Sequence, residues 1–531
     1  MKYNNISKAF ASCAIIAAGF GALTSCTDGF ESANRPGTKA SAEELKRDNY
    51  ITASFITQMQ NEAFPEQENA YQMNIDLIGN YLGRYMTYAN NGFAEKNFAR
   101  FNAPNSWVRY PFKDAMPKIV SAFNEVARLT NRQGINYAWA LILRSQEFLR
   151  LTDMYGPLPI GAESDPNAYS SQEKVYKHLI ACLDTATTIL QPLLAANPDL
   201  KSSEEYDKVY GGKFSSWLKF ANSLKLRIAI RIRYVDPALA KQVGEAAVKA
   251  GVLTENAENC AITYIPNGQY KTSVEWGDSR ACADLESFMT GFKDPRITKY
   301  FNTPATSGSR EIIGCLAGAK IGNKANADKL YSAANVKQNT RGVWLTAAEM
   351  AFCRAEGALI GWSGMGGTAQ SLYEKGVKLS FDQWGASGAD AYLANATSTE
   401  ANYQDANGGY GHDESAVRNN TTTQGEGAAV STITIKWDDS ASDEVKLERL
   451  ITQKWIALFP EGQEGWNEIR RTGYPKVFPV AQSTGSYNIR VPNRIPFDND
   501  ETINNAANYV KAVELLGGAD DYATKMWWQK K

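Results

Sequence analysis

Residues 137–150 read Tyr137-Ala-Trp-Ala-Leu-Ile-Leu-Arg-Ser-Gln-Glu-Phe-Leu-Arg150. Small alanines stand among large apolar side chains, and Thr346-Ala-Ala-Glu-Met-Ala-Phe-Cys-Arg-Ala-Glu-Gly357 repeats the mixture. A small residue facing a large one lets two helices approach closely, as stacked helix pairs do. Outward from these stretches, helical patterns recur at about 68–88, 106–131, 135–154, 171–193, 213–233, 237–250, 344–361, 367–380, 442–459 and 502–516. Ser41-Ala-Glu-Glu44 carries a capping-box pattern at the head of a further helix. Strand patterns are sparse. Val430 to Trp437, where Thr alternates with Ile, is the best candidate.

The predicted fold is mostly α with minor β. It is a scaffold of TPR-like helix pairs, too irregular in period for a regular solenoid. Long segments rich in Gly, Asn, Thr and Ser interrupt the helices at about 255–280, 301–342, 383–437 and 472–500. Loops of that length inside a compact body are often functional. They carry aromatics expected at the surface: Tyr264, Tyr270, Trp276, Tyr331, Tyr403 and Tyr410. The expectation is a helical scaffold under an irregular, loop-rich cap, variable at about 255–342 and 383–437.

Lys+Arg is 56 and Asp+Glu 57, a formal net charge of -1, which argues against nucleic acid as a partner. Two histidines, His178 and His412, almost exclude a His-rich metal site. No cofactor and no metal ligand set is predicted. Asp498-Asn-Asp-Glu501 offers hard oxygens for Ca²⁺, but it is shorter than an EF-hand loop and reads more simply as a helix cap.

Lys2 and Lys8 flank the start of an apolar run, Phe10 to Leu23, too short for a comfortable membrane span. It ends in Leu23-Thr-Ser-Cys26, which resembles a bacterial lipobox. Such a signal implies cleavage before Cys26 and acylation of Cys26 with chains such as palmitate. More than one chain is needed for stable anchoring. No later apolar stretch is expected to reach the length of a membrane helix. Residues 1–25 then form the signal peptide, 26–40 a polar tether containing Pro36 and Gly37, and 41–531 one domain. Loss of Lys2 and Lys8 takes the net charge to about -3. Cys182, Cys260, Cys282, Cys315 and Cys353 remain, an odd number without a CxxC. One or two disulfides have room to form, and no framework is implied. Cys182 and Cys353, inside helical patterns, are expected to be buried small apolar residues.

A set of ordered motifs covers nearly the whole mature chain. They are Phe30-Glu-Ser-Ala-Asn34, Asp153-Met-Tyr-Gly-Pro-Leu-Pro159, Asp294-Pro-Arg296, Ala347-Ala-Glu-Met-Ala-Phe-Cys-Arg-Ala-Glu356 and Leu372-Tyr-Glu-Lys-Gly-Val377 followed by Ser380-Phe381. The C-terminal set is Ile451-Thr-Gln-Lys-Trp-Ile-Ala-Leu-Phe459, Glu464-Gly-Trp-Asn-Glu-Ile-Arg-Arg-Thr-Gly473, Asn493-Arg-Ile-Pro496 and Thr524-Lys-Met-Trp-Trp528. In order and spacing the sequence resembles the SusD/RagB-type outer-membrane lipoproteins of the Bacteroidetes. The resemblance implies a cell-surface protein that captures an oligosaccharide or polysaccharide. It also implies delivery of that glycan to a SusC-like TonB-dependent transporter, for which the protein acts as a lid. RagB-like members imply peptide cargo instead. Surface-directed lipoproteins of that phylum often carry an acidic cluster after the cysteine. Here only Asp28 and Glu31 stand there, so surface exposure follows from the resemblance more than from the signal.

Sugar binding needs flat apolar faces for the C–H face of a pyranose and planar amide, carboxylate or guanidinium groups for its hydroxyls. The loop 264–280 supplies Asn267, Tyr270, Trp276, Asp278 and Arg280; the loop 89–101 supplies Asn91 and Phe93; Tyr331 lies in a third. These are the ligand candidates, and each aromatic competes with a plainer role of pinning its loop. Trp455, Trp466, Trp527 and Trp528 read as packing residues. Glu349 and Glu356 read as buried partners of Arg470 and Arg471. No catalytic residue is assigned. A helical glycan-cleaving enzyme is the rival class, and it needs two opposed carboxylates roughly 5–10 Å apart in a cleft.

Overall fold

The computed structural model describes residues 50–161, 165–305, 308, 310–319, 321–406, 429–480, 487 and 489–529. Cys26, the signal, the tether, the Ser41 capping box, Tyr410 and His412 lie outside them. Helices follow the predicted stretches closely. They are α1 (Met116–Leu129), α2 (Gly134–Tyr155), α3 (Gln172–Ala196), α4 (Phe214–Ile232), α5 (Pro237–Ala250), α6 (Ala347–Leu359), α7 (Ala369–Gln383) and α8 (Asp443–Leu458), with α9 (Gly462–Thr472) after them. Their starts are written locally. Ser171, Asp236, Thr346, Thr368 and Ser442 each accept a hydrogen bond from a backbone N–H of the first turn, and Pro237 fits the first turn of α5.

The helices pack as pairs in sequence: α1 on α2, α2 on α3, α4 on α5, α6 on α7, α8 on α9. Short connections make such neighbours antiparallel. Contacts of α4 with α3 and α6, and of α6 with α8, join the pairs within the compact unit Ser54–Lys531. α2 is buried from Ala138 to Leu143, as a helix apolar on every side must be. α3 is long and apolar enough, by length and composition, to cross a membrane, contrary to the expectation that no such stretch follows the signal. Val175, Leu179, Leu183 and Leu190 are buried, and the helix packs against α2 and α4, so its hydropathy belongs to the scaffold.

Where the helices meet, the core is ionic. Glu349 accepts two bonds from Arg227 (2.7 and 2.6 Å), Glu356 two from Arg471 (2.6 and 2.8 Å), and Glu468 binds Arg471 at 2.6 Å and Lys454 at 2.9 Å. Arg231 joins Asp153 at 2.5 Å and also reaches Glu464. Burial opposes the charge on Glu468, but Arg471 and Lys454 hold its carboxyl well below the usual range. The predicted Glu356–Arg471 pair is present. Glu349 instead takes Arg227, and Arg470 donates to Asn467 and stacks 3.4 Å over the Trp466 ring. Trp455, Trp466 and Trp528 are fully buried and Trp527 half-buried.

Other expectations are corrected. Val430–Trp437 is not a strand. Its side chains alternate as predicted, with Ser431, Ile433, Ile435 and Trp437 buried. Its backbone finds side chains rather than a sheet: Glu400 accepts from Val430 and Ser431, Tyr373 donates to Ile435 O, and Arg449 donates to Thr434 O. The predicted helix 68–88 is Glu68–Tyr71, then a wider-turn helix Gln72–Asn80, then strand β1 (Met86–Tyr88). A Cβ on Gly79 would lie 2.8 Å from Gln463 N, so the glycine lets this segment touch the α9 backbone. The other strands are β2 (Leu158–Pro159), β3 (Tyr169–Ser170), β4 (Cys260–Ile262), β5 (Ser279–Ala281) and β6 (Gly342–Leu345). They form two-stranded antiparallel pairs β1–β5, β2–β3 and β4–β6. The five described cysteines form no disulfide with one another, and Cys182 is only half-buried.

Candidate functional site

The two loops carrying most of the ligand candidates are joined by β1 and β5. Tyr88 pairs with Ser279, so the chain leaving β1 and the chain entering β5 emerge side by side. Ala89 N then donates to Asp278 O at 2.8 Å. The Asp278 carboxylate is the clasp. It accepts from Asn90 Nδ2 (2.8 Å), Gln72 Nε2 (2.9 Å) and Lys324 Nζ (2.6 Å). Two residues on, Arg280 donates to Asp328 at 2.8 Å and to the carbonyls of Ser273 (2.6 Å) and Ser279 (2.9 Å). Lys324 and Asp328 lie one turn apart on the helix Lys324–Leu330, so two ion pairs fasten that helix to the start of β5. Gly277 makes the close approach possible: its φ is +68°, and a Cβ there would stand 2.8 Å from Asp328 Oδ1.

Burial pushes the Arg280 guanidinium down, and Asp328 and Asp278 oppose this. Burial likewise pushes the Asp328 carboxyl up, against Arg280 and Lys324. Each group is therefore kept charged by its partner. Four carboxylates here are paired with cations: Asp278 with Lys324, Asp328 with Arg280, and Glu275 and Glu68 with Lys271 at 2.5 and 3.2 Å.

Around this clasp stand half-buried aromatics. Trp276 lies two residues before Asp278, with Lys271 Nζ 5.3 Å from its ring centre. Tyr270 opens the helix Tyr270–Glu275, and its hydroxyl receives Gln338 at 3.5 Å. Phe93 is held by the turn that Asn90 starts, and meets Trp107 edge-on at 5.0 Å and 88°. Asn91 is exposed in the same turn. Tyr264 lies under Lys208, and Ile265 is 64% exposed.

The candidates thus divide. Tyr270, Trp276, Phe93 and Asn91 reach the surface. Asn267, Asp278, Arg280 and Tyr331 are buried and serve the loop architecture. Asn267 accepts from Tyr270 N at 3.0 Å and donates to Thr340 O at 3.0 Å. Tyr331, expected at the surface, is 1% exposed and donates to Asp405 at 2.8 Å, and Tyr403 is equally buried beside the same carboxylate. Gln72, Trp107, Lys324 and Asp328 are parts that sequence reasoning missed. A tryptophan in a polar Asn-Ser-Trp turn was the one available signal; the others carry none. Among the described residues no group of three or more His, Cys, Asp or Glu stands ready to hold a metal.

The sequence profile described as Susd and RagB outer membrane lipoprotein matches residues 32–529. Among solved structures, a SusD-like protein from Bacteroides thetaiotaomicron is 34% identical with a TM-score of 0.82, covering 90% of this chain and 99% of its own. A chitin-binding SusD homologue from Flavobacterium johnsoniae is 36% identical with a TM-score of 0.82, covering 91% and 99%. A SusD homologue from Bacteroides uniformis is 34% identical with a TM-score of 0.81, covering 91% and 100%. The curated proteins compared with the chain gave no match. The helix-pair architecture, the profile and these relatives agree: the chain belongs to the SusD/RagB family of outer-membrane lipoproteins.

Proposed function

We propose that the protein is a non-enzymatic glycan-capture lipoprotein. Cys26 carries the lipid, the folded body faces outward from the cell, and bound oligosaccharide passes to a SusC-like TonB-dependent transporter. The observation carrying this reading is the clasp at Asp278. It joins the loop that carries Trp276 and Tyr270 to the loop that carries Phe93 and the exposed Asn91, which supports aromatic faces and amides held in place before a ligand arrives. The chitin-binding relative supports a glycan as the ligand class. Binding rather than cleavage is favoured by the engaged carboxylates. A glycosidase acid must be free to give its proton and its partner free to act on the sugar, whereas here Asp278, Asp328, Glu275 and Glu68 are each paired with a cation.

The test is a screen of the soluble form, starting after Cys26, against oligosaccharides and peptides, with product analysis on the same samples. Glycan binding without new reducing ends is expected. Trp276→Ala is expected to weaken it by about 1–2 kcal/mol, roughly five- to thirtyfold, with the fold intact. New reducing ends would overturn the reading, as would equal affinity in Trp276→Ala and Phe93→Ala.

A further inference from the structure

A second cavity lies away from these loops, between α1, α2 and α3. It encloses about 620 Å³, within the roughly 300–1,000 Å³ range of small-molecule sites. It shares no lining residue with the face around Asp278. Phe112, Val120, Phe123, Leu141, Phe148 and Tyr169 give it apolar walls.

Arg144 is set among those walls. The Arg144 guanidinium carbon lies 4.6 Å from the Phe123 ring centre and 4.5 Å from that of Phe148. Nη2 donates to Ile160 O at 3.0 Å, and Nη1 meets His178 Nε2 at 3.4 Å. Among the described residues no carboxylate pairs with it; Cys182 and Tyr137 are the titratable groups that act on its charge. Burial, then Arg144 itself, push His178 down to about 4, so the imidazole is neutral at pH 7. Arginine remains protonated there. The nearest acid on the wall, Glu501, is already engaged by Lys113 at 2.8 Å. Arg144 therefore brings an uncompensated positive charge to this wall, a guanidinium with N–H donors to spare, among aromatic rings. Elsewhere in this core Arg227, Arg231, Arg296 and Arg471 each hold carboxylates. A half-buried guanidinium without an anion is satisfied best by a carboxylate presented to its planar fork.

We propose that this cleft is a second ligand site, on the helix-pair scaffold, that takes a small carboxylate bearing an aromatic ring. The ring replaces water along the Phe112, Val120 and Tyr169 walls while the carboxylate neutralises Arg144. Glycan capture does not need this site, and its ligand is a different chemical class.

Isothermal titration of the soluble chain with 3-phenylpropionate, 3-phenylpropan-1-ol and propionate tests it. One saturable site is expected for 3-phenylpropionate, roughly tenfold or more tighter than for the alcohol or for propionate. Val120→Trp, which fills the cleft from a half-buried position, is expected to abolish binding. Arg144→Gln is expected to weaken it by roughly tenfold. Glycan affinity stays unchanged in both variants. Should Arg144→Gln fail to fold, Val120→Trp and the ligand series decide. Absence of saturable binding in the millimolar range, equal affinity for the alcohol, or binding untouched by Val120→Trp would each overturn the assignment.

Discussion

Replacing Asp278 by alanine tests whether one carboxylate holds the proposed ligand-binding face together. The change removes acceptors for Asn90, Gln72 and Lys324 at 2.8, 2.9 and 2.6 Å. Hydrogen bonds to a charged group contribute about 1.5–3 kcal/mol each. Asn90 and Gln72 are half-buried, so water replaces the lost acceptor in part, and the low end applies. The Lys324 side chain is 31% exposed against 11% for Asp278, and a pair that wet contributes about 1 kcal/mol after screening. The expected loss is about 3–4 kcal/mol. An unfolding entropy of about 2.1 cal/mol/K per residue makes roughly 1 kcal/mol/K for a unit the size of Ser54–Lys531, so Tm falls by about 3–4 °C. Lys324→Ala is expected to cost only about 1 kcal/mol, and the double variant little more than Asp278→Ala, because the pair shares one interaction. Calorimetry of the three variants, with glycan titration of each, reads both effects. Asp278→Ala should lose more glycan affinity than Lys324→Ala, since it alone frees the Asn90 turn that carries Phe93. The reasoning is refuted if Asp278→Ala melts with the wild type, or if its loss does not exceed that of Lys324→Ala.

The remaining predictions concern the core and the anchor. Glu356→Ala strands Arg233 and leaves Arg471 only Glu468 in a buried site, and it is expected to destabilise by about 3–5 kcal/mol in chemical denaturation; a change below about 1 kcal/mol would show the network to be dispensable. Glu66 is buried, and burial pushes its carboxyl to about 7 although Trp344 and the Gly268 amide donate to it. Its folded pKa lies above the unfolded value, so its stabilising contribution is full below about 4.5 and is lost as pH rises through about 7. Glu66→Gln should therefore raise Tm relative to wild type at pH 8.5 but hardly at pH 4, and equal shifts at both would contradict the buried-carboxyl account. Cys26→Ala is expected to move the protein from the membrane to the soluble fraction; retention in membranes would refute lipidation at that residue.

Helices were legible because their signals are local. Thr346, Asp236 and Ser442 cap the backbone a few residues away, and the apolar periodicity of α2, α6 and α8 repeats within each segment. The ordered motifs were legible for the same reason and led to the family. α9 escaped notice because Gly462-Gln-Glu-Gly-Trp-Asn-Glu-Ile-Arg-Arg-Thr472 is almost entirely polar, yet all of it is buried, with Glu464, Arg471 and Glu468 paired to α4, α6 and α8. Val430–Trp437 had the right alternation, but a strand needs a partner, and here Glu400, Tyr373 and Arg449 take the backbone instead.

By itself the sequence determined the fold class, the helix starts, the Glu356–Arg471 pair and the loops proposed to carry a ligand face. Only the tertiary structure decided which members of those loops meet solvent. Trp276 and Tyr331 read alike as loop aromatics, but one is left half-exposed beside the clasp and the other is sealed against Asp405. Asp278 and Arg280 read as sugar ligands, and the fold buries them against Gln72, Asn90, Lys324 and Asp328, partners from elsewhere in the chain. Burial and charge pairing are properties of residues distant in sequence, and no local pattern records them.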